Sequence, residues 1–207
     1  MHIPDGFLDP VTAGVTYLIA LSYTVYAFKK ARSSRVELLA PVSASIFVAQ
    51  MLNWPLPGGT SLHFVGGALA GILLGPWNGY MAMFLVLLVQ TLIFHDGGIT
   101  AFGANLLNMA ILSVYTGYVF YKSFARFPGR GKVIGSFLGG WLSLVVAGLA
   151  CGLQLGVSTQ FPHNVTLAVP VMAGWHAVLG LAEGVITAAV VSYISSKSPE
   201  LLTGGAV

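Results

Sequence analysis

The amino-acid sequence predicts an all-α integral membrane protein of about seven transmembrane helices, and three observations predict it. Of 207 residues, 56% are hydrophobic and only 7% are Asp, Glu, Lys or Arg, whereas an ordinary soluble domain carries roughly 25% charged residues. So few charges cannot keep a soluble fold dissolved. The apolar residues also come in long uninterrupted segments, at 11–28, 38–53, 61–75, 77–94, 99–121, 133–155 and 165–194, and most approach the roughly 20 residues that a spanning helix needs. Finally, all nine Lys and Arg fall in three places: Lys29, Lys30, Arg32 and Arg35 after the first segment, Lys122, Arg126, Arg130 and Lys132 after the fifth, and Lys197 near the end. Seven spans put those three places on one membrane face, and the positive-inside rule makes that face cytoplasmic. The N-terminus is then outside and the C-terminus inside.

Taken in order, the chain reads as a single membrane domain over 1–207: an N-terminal segment 1–10, a helical bundle 11–195 and a cytoplasmic tail 196–207. It opens Met-His-Ile-Pro-Asp-Gly, with Asp5 and Asp9, and lacks the basic start and small-residue cleavage site of a signal peptide. Met1 is therefore expected to be the mature first residue. Two segments, 38–53 and 61–75, fall short of a span, and 61–75 is the shorter. From His63 to Gly75 a helix rises only about 20 Å, too little to cross alone, so it reads as a short buried helix or a re-entrant piece, although the charge parity needs it to count as a span.

Small residues recur every fourth position at Gly67, Gly71, Gly75 and Gly79, and again at Gly131, Gly135, Gly139, Ser143, Ala147 and Cys151. Such stripes let helices approach closely in lipid. Packing within the bundle is the first reading for both, and the longer stripe is the better candidate for docking another subunit. Cys151, the single cysteine, reads as a small packing residue. The formal charge of +3 lies in loops and tail, not on a surface stripe, so lipid is an expected partner and nucleic acid is not.

The same parity sends Met1, His2, Asp5, Asp9, His63, His95, Asp96 and His163 to the outer side. Met1 and His2 carry the most specific chemistry. The α-amine of Met1, the amide nitrogen of His2 if deprotonated and the His2 Nδ1 can close adjacent five- and six-membered rings around one ion, leaving one in-plane position. Nitrogen donors in a plane suit Ni²⁺ or Cu²⁺, imidazole also suits Co²⁺, and a second histidine would complete a four-nitrogen site. A lone second-position histidine is ordinarily part of a frayed terminus, but Ile3-Pro4-Asp5-Gly6 gives this one a turn-like element before the first span. His63 ends the glycine-rich loop Pro57-Gly58-Gly59-Thr60-Ser61-Leu62 and is accessible from outside.

The N-terminal Met-His-Ile-Pro-Asp-Gly-Phe-Leu, the Pro-Gly-Gly-Thr-Ser-x-His stretch ending at His63, the run Asp96 to Asn105 through Asn108-Met109, and the pattern His176, Gly180, Glu183, Thr187 together resemble the CbiM/NikM substrate-binding components of energy-coupling-factor nickel and cobalt transporters. The resemblance covers nearly the whole chain. It implies a six-helix substrate-binding bundle plus an extra N-terminal helix in a prokaryotic cell membrane, with Met1, His2 and His63 holding Ni²⁺ or Co²⁺ as the transported substrate in near-square-planar geometry. It also implies partners: a transmembrane coupling subunit, ATP-binding-cassette ATPases and often a small accessory membrane subunit. The nearest approach to a phosphate-binding loop, Gly129-Arg130-Gly131-Lys132-Val133, lacks its spacing and its hydroxyl, so no ATPase activity is expected of this chain.

His95, Asp96, Asn105, His176 and Glu183 are candidates for orienting the ligands or supporting the fold, and Asn108 invites the same reading. His163 is given no role. Two rival functions remain in view: a proton-coupled permease working alone, which usually shows internal repeats and several buried acids, and an intramembrane metalloenzyme, for which Glu183 would be the base.

Overall fold

The computed structural model describes residues 1–31 and 36–203; Arg32, Arg35 and residues 204–207 of the tail lie outside the described residues. The all-α membrane fold is borne out. The helices are α1 (Pro10–Lys30), α2 (Val36–Gln50), α3 (Gly67–Ile93), α4 (Phe102–Asn105), α5 (Ser113–Ala125), α6 (Gly131–Val157), α7 (Val165–Lys197) and α8 (Glu200–Thr203), and a π-helical stretch, Leu106–Leu112, joins α4 to α5 without a break in direction. Four of them, α1, α3, α6 and α7, are each long and apolar enough to cross a membrane.

Local chemistry sets the starts and turns. Asp9 caps α1, accepting from Val11 N at 3.0 Å and Thr12 N at 3.1 Å, with Pro10 at the first helical position. The face of α1 toward the bundle is made of Thr16, Ala20 and Ala27, while Val11, Leu18, Val25 and Phe28 point outward and are exposed. Small residues inside and large apolar ones outside is the arrangement that lipid permits and water does not. The tyrosine hydroxyls of Tyr23 and Tyr115 meet at 2.7 Å, and Thr24 meets Tyr80 at 2.6 Å, pinning α1 to α3 and α5.

Segment 61–75 departs from the expected span. Ser61–His63 is a strand, β2, paired antiparallel with β1 (Asn53–Pro55), and the helix begins only at Gly67. At Gly75 the backbone takes φ 78°, ψ 172°, and Pro76 follows. A Cβ on Gly79 would lie 2.9 Å from the Ala70 carbonyl carbon and 3.0 Å from Gly71 Cα, so the arms 67–74 and 76–93 fold back on each other as a hairpin. The first arm is thus a half-length insert, with the extended residues 61–66 leading into it.

Ile72, Leu73 and Leu74 of that turn pack with Leu38 and Leu39 at the start of α2, Tyr121 and Ala125 at the end of α5, Val191 and Ile194 of α7, and Leu202 of α8. The ends of α5 and α7 that carry Lys122 and Lys197 therefore share one end of the bundle with the start of α2, the helix that follows Lys29 and Lys30 in the chain. Leu202 is buried there, so the first part of the tail packs onto the helices.

The long stripe on α6 is an internal packing surface, as the first reading of it had it, and its second reading as a docking face for another subunit falls away. A Cβ on Gly131 would strike the Phe124 carbonyl at 2.3 Å and one on Gly139 the Gly117 carbonyl at 2.8 Å, both in α5. A second glycine row on α6 faces α7: Gly140 meets Gly184 Cα at 2.9 Å and Gly152 the Ala168 carbonyl at 2.8 Å. Glycine at these positions brings the backbones of α5, α6 and α7 together.

Candidate metal centre

At the end of the bundle opposite the basic residues, the N-terminal segment is folded into the protein. Met1 and Ile3 are fully buried and His2 nearly so. Two loops hold them. Ile3 N–H donates to Asn105 Oδ1 at 2.9 Å, and Ile3 C=O accepts from Asn105 Nδ2 at 3.1 Å and from Gly98 N at 2.8 Å. Asp5 Oδ1 accepts from Thr100 N at 2.7 Å and from the Thr100 hydroxyl, which holds its carboxyl below the usual range. A Cβ on Gly98 would lie 2.3 Å from Asp5 N, so only glycine lets the two segments meet. Asn105 acts here as a stand-in strand, pairing both backbone groups of Ile3. Asn105→Ala is expected to leave the buried Ile3 N–H unpaired at a cost of about 1–3 kcal/mol. The check is hydrogen exchange at that amide, which should quicken roughly ten- to hundredfold; unchanged exchange would show that the terminus docks without Asn105.

The Met1 amine donates to the Ser61 carbonyl and to its hydroxyl, two residues before His63. The Met1 carbonyl accepts from the Cys151 thiol at 3.7 Å, so Cys151 does more than fill space. His63, expected to be accessible from outside, is instead fully buried at the end of β2, where the N-terminal segment covers it, and its Nδ1 lies 2.6 Å from the Phe64 carbonyl. A carbonyl only accepts, so Nδ1 carries the proton and Nε2 the lone pair; Nε2 has no partner. The His2 ring stacks on His63 with centroids 4.4 Å apart and 14° between planes. Its Nδ1 lies 3.0 Å from Asp96 Oδ1 but without the alignment of a hydrogen bond, so both His2 ring nitrogens remain unpartnered.

Burial makes these groups neutral. It pulls the Met1 amine from 8.0 to about 5, against weaker upward pulls from Cys151 and Asp96. It lowers His2, opposed by Asp96, and it takes His63 well below its ordinary value, where a proton would also be repelled by one on the Met1 amine or on His2. Burial pushes the Asp96 carboxyl up, but the neighbouring His2 ring outweighs it and the net direction is down. The pocket thus gathers a neutral amine and two neutral imidazoles beside one carboxylate, the donor set that a divalent ion of intermediate softness prefers. Among the described residues no three His, Cys, Asp or Glu side chains converge as a ligand set, so an ion held here relies on main-chain nitrogens as well.

The other sequence candidates divide. Glu183, on α7, accepts from Val65 N at 2.7 Å and Gly66 N at 2.8 Å. Gly66, at φ 72°, precedes α3 with no side-chain cap of its own, and Glu183 supplies the cap from another helix. Both of its oxygens clamp the segment that carries His63, which leaves it poorly placed to serve as the base of a metalloenzyme. Asn108 pairs reciprocally with Gln154, at 2.7 and 2.8 Å, tying the π-helical stretch to α6. His95 is exposed at φ 54° in the turn after α3 and does not join the cluster. His163 is half-buried against the Phe161 ring at 5.6 Å. Two glutamines escaped sequence reasoning: Gln90, whose amide lies beside the His2 ring and is otherwise unpaired, and Gln50, whose Nε2 donates to Val65 C=O at 2.6 Å. A polar amide inside an apolar helix was the one signal available for each.

Residues 2–201 match the family described as the cobalt uptake substrate-specific transmembrane region. The chain is 49% identical over 203 residues to a putative fused nickel transport protein NikMN of Archaeoglobus fulgidus, covering 98% of this chain and 68% of that one. It is 30% identical over 217 residues to a cobalt transport protein CbiM of Sorangium cellulosum, covering 98% and 94%. A crystal structure of a truncated transition metal transporter superposes with a TM-score of 0.89 at 35% identity, over 95% of this chain and 99% of that one.

Proposed function

Since the chain belongs to the CbiM family of substrate-specific transmembrane regions for cobalt uptake, we propose that it captures Ni²⁺, with Co²⁺ close behind, as the substrate-specific subunit of an ATP-driven energy-coupling-factor transporter. Four nitrogens hold the ion: the Met1 amine, the deprotonated His2 amide, His2 Nδ1 and His63 Nε2. The observation that carries the reading is the burial of the N-terminal amine in one pocket with two imidazoles that each present an unpaired ring nitrogen; burial pulls that amine down to about 5. Adjacent chelate rings that share an amide nitrogen are coplanar, so the fourth donor completes a plane. That plane favours Ni²⁺ over Co²⁺, while Cu²⁺ would win on raw affinity and is excluded by supply. The names of the relatives, nickel and cobalt transport proteins, are consistent with either ion.

Binding turns the rings. Two imidazoles stacked at 14° cannot both aim a lone pair at one in-plane ion, so the His2 ring leaves the stack and brings Nδ1 to its own amide. Its Nε2–H then meets the Asp96 carboxylate, which fixes the tautomer and strengthens Nδ1 as a donor. The end carrying this pocket faces outward and the basic end faces the cytoplasm. A separate coupling subunit and ATP-binding-cassette ATPases drive release, with a small accessory membrane subunit in some assemblies.

Two tests follow from the parts of this reading. Uptake in cells is expected to require a co-expressed ATPase; uptake driven by a pH gradient alone would favour the stand-alone permease. The second test counts protons. A free terminal amine loses a proton to the metal at any pH below 8.0, whereas this one is already neutral above about 5. Between those values loading should release one proton, from the His2 amide, and not two, and affinity should rise with pH accordingly. The sign is the same for docking the terminus: the undocked amine binds a proton below 8.0 and the docked amine only below about 5, so docking strengthens as pH rises across that window and is constant above it. Calorimetry in buffers of different ionisation heat reads the count, and two protons near pH 6.5 would refute the neutral amine.

A further inference from the structure

His176 lies fully buried within α7, and half of its chemistry is committed. Its Nδ1 is 2.6 Å from the Met172 carbonyl, which only accepts, so Nδ1 holds the proton and Nε2 the lone pair. That Nε2 has no partner. Among the unpaired buried side-chain atoms of the described residues, the nitrogens able to offer a lone pair belong to His2, His63 and His176. A buried orphan of this kind needs a reason.

Its place in the fold supplies one. One turn before His176, Met172 packs against Gly59, where a Cβ would meet Met172 Sδ at 2.6 Å. Two turns after it, Glu183 holds Val65 and Gly66. His63 lies between those anchors in sequence, so the inner face of α7 runs along residues 59–66 and sets His176 opposite His63. The two rings are close enough to interact electrostatically. Behind it, a Cβ on Gly148 would come within 2.9 Å of the His176 Cβ, so α6 leaves the ring little room to retreat. Along α7, His176 is one turn further than Met172 toward the basic end.

We propose that His176 Nε2 is the entering ligand that draws the ion off the N-terminal chelate and into the bundle. The inference rests on the four-nitrogen reading above. Planar complexes of a d⁸ ion exchange ligands associatively: a fifth donor adds from one face before an in-plane bond breaks. Here the Nε2–Ni²⁺ bond forms, coordination rises from four to five, and the Met1 amine–Ni²⁺ bond then breaks. The amine leaves neutral with its electron pair, so no proton or redox partner is needed.

The test is stopped-flow transfer of Ni²⁺ from the full-length protein in detergent to a chromophoric chelator. His176→Leu is expected to keep one ion per chain and the absorption band of the resting complex, yet to release the ion about tenfold more slowly, the scale on which groups beside a metal's ligands act. A purely structural histidine predicts the opposite sign, because a loosened site releases faster. Release at the wild-type rate, or faster, overturns the proposal. If His176→Leu fails to load, His176→Met carries the comparison: its thioether is a poorer donor of similar reach, so slower release than wild type is expected, and equal or faster release refutes the role. If the wild-type protein binds its ion equally well with its N-terminus extended, the capture reading itself fails, an outcome distinct from failure of the His176 step.

Discussion

Adding one residue ahead of Met1 is expected to abolish ion capture. The extension turns the Met1 amine into an amide, which has no basic lone pair, and so breaks the five-membered chelate ring at its first atom. It also has nowhere to go. Met1 is fully buried, its nitrogen is in contact with Ser61, and its carbonyl faces Cys151. Overpacking such a site costs about 1–3 kcal/mol by itself. With one of four donors gone as well, a loss of at least about 4 kcal/mol, roughly a thousandfold in affinity, is expected. Metal analysis after gel filtration reads the result: about one ion per chain for the unmodified protein and none for the extended or N-acetylated form, with a C-terminal extension as the control. Undiminished binding after N-terminal extension would show that the ion sits elsewhere.

The sequence made the fold class legible because lipid and the positive-inside rule act on composition and charge, which need no contacts to read. The break between the segments 61–75 and 77–94 was visible for a related reason. Gly75-Pro76 cannot continue a helix, and a glycine at positive φ followed by proline is a turn wherever it occurs. The strand pair 53–55 and 61–63 was not legible. Each strand has three residues, too few for alternation to emerge, and Pro55 argues against a strand on its face. The contrast marks a limit: backbone chemistry shows in sequence, whereas pairing between two short segments exists only in the fold.

The site divides along the same line. The proposed chelate of Met1 and His2 was readable because it is local, built from adjacent residues. Asn105 and Glu183 were visible as buried polar groups, but their work depends on partners 102 and 117–118 residues away, which no local pattern reveals. Asn105 holds the end of the chain and Glu183 the junction between His63 and α3, so both act on the ligands through backbone. Gln50 and Gln90 left no pattern to read. One amide in an apolar helix has no spacing to recognise, and its meaning comes from facing Val65 or His2.

Replacing His63 by alanine is expected to cost far more than replacing His163. In the proposed site His63 is the one donor that the N-terminal chelate would not supply from its own atoms, and its surroundings suit that role: the Phe64 carbonyl takes Nδ1–H, Glu183 and Gln50 fix the residues that follow, and Nε2 is left free. Its removal leaves three nitrogens and a cavity where an imidazole stood. A loss of about 3 kcal/mol or more, over a hundredfold in affinity, is expected. His163 packs against the Phe161 ring, in the loop before α7, and surface changes of that kind stay within roughly 0.5 kcal/mol. Competition titration with a chelator of known affinity compares the two directly. Equal losses would mean that the fourth ligand is another group, and His176, with the same free nitrogen at the same depth of burial, would be next to test. A large loss confined to His63→Ala would instead separate holding the ion, which needs His63, from handing it on, which would fall to His176.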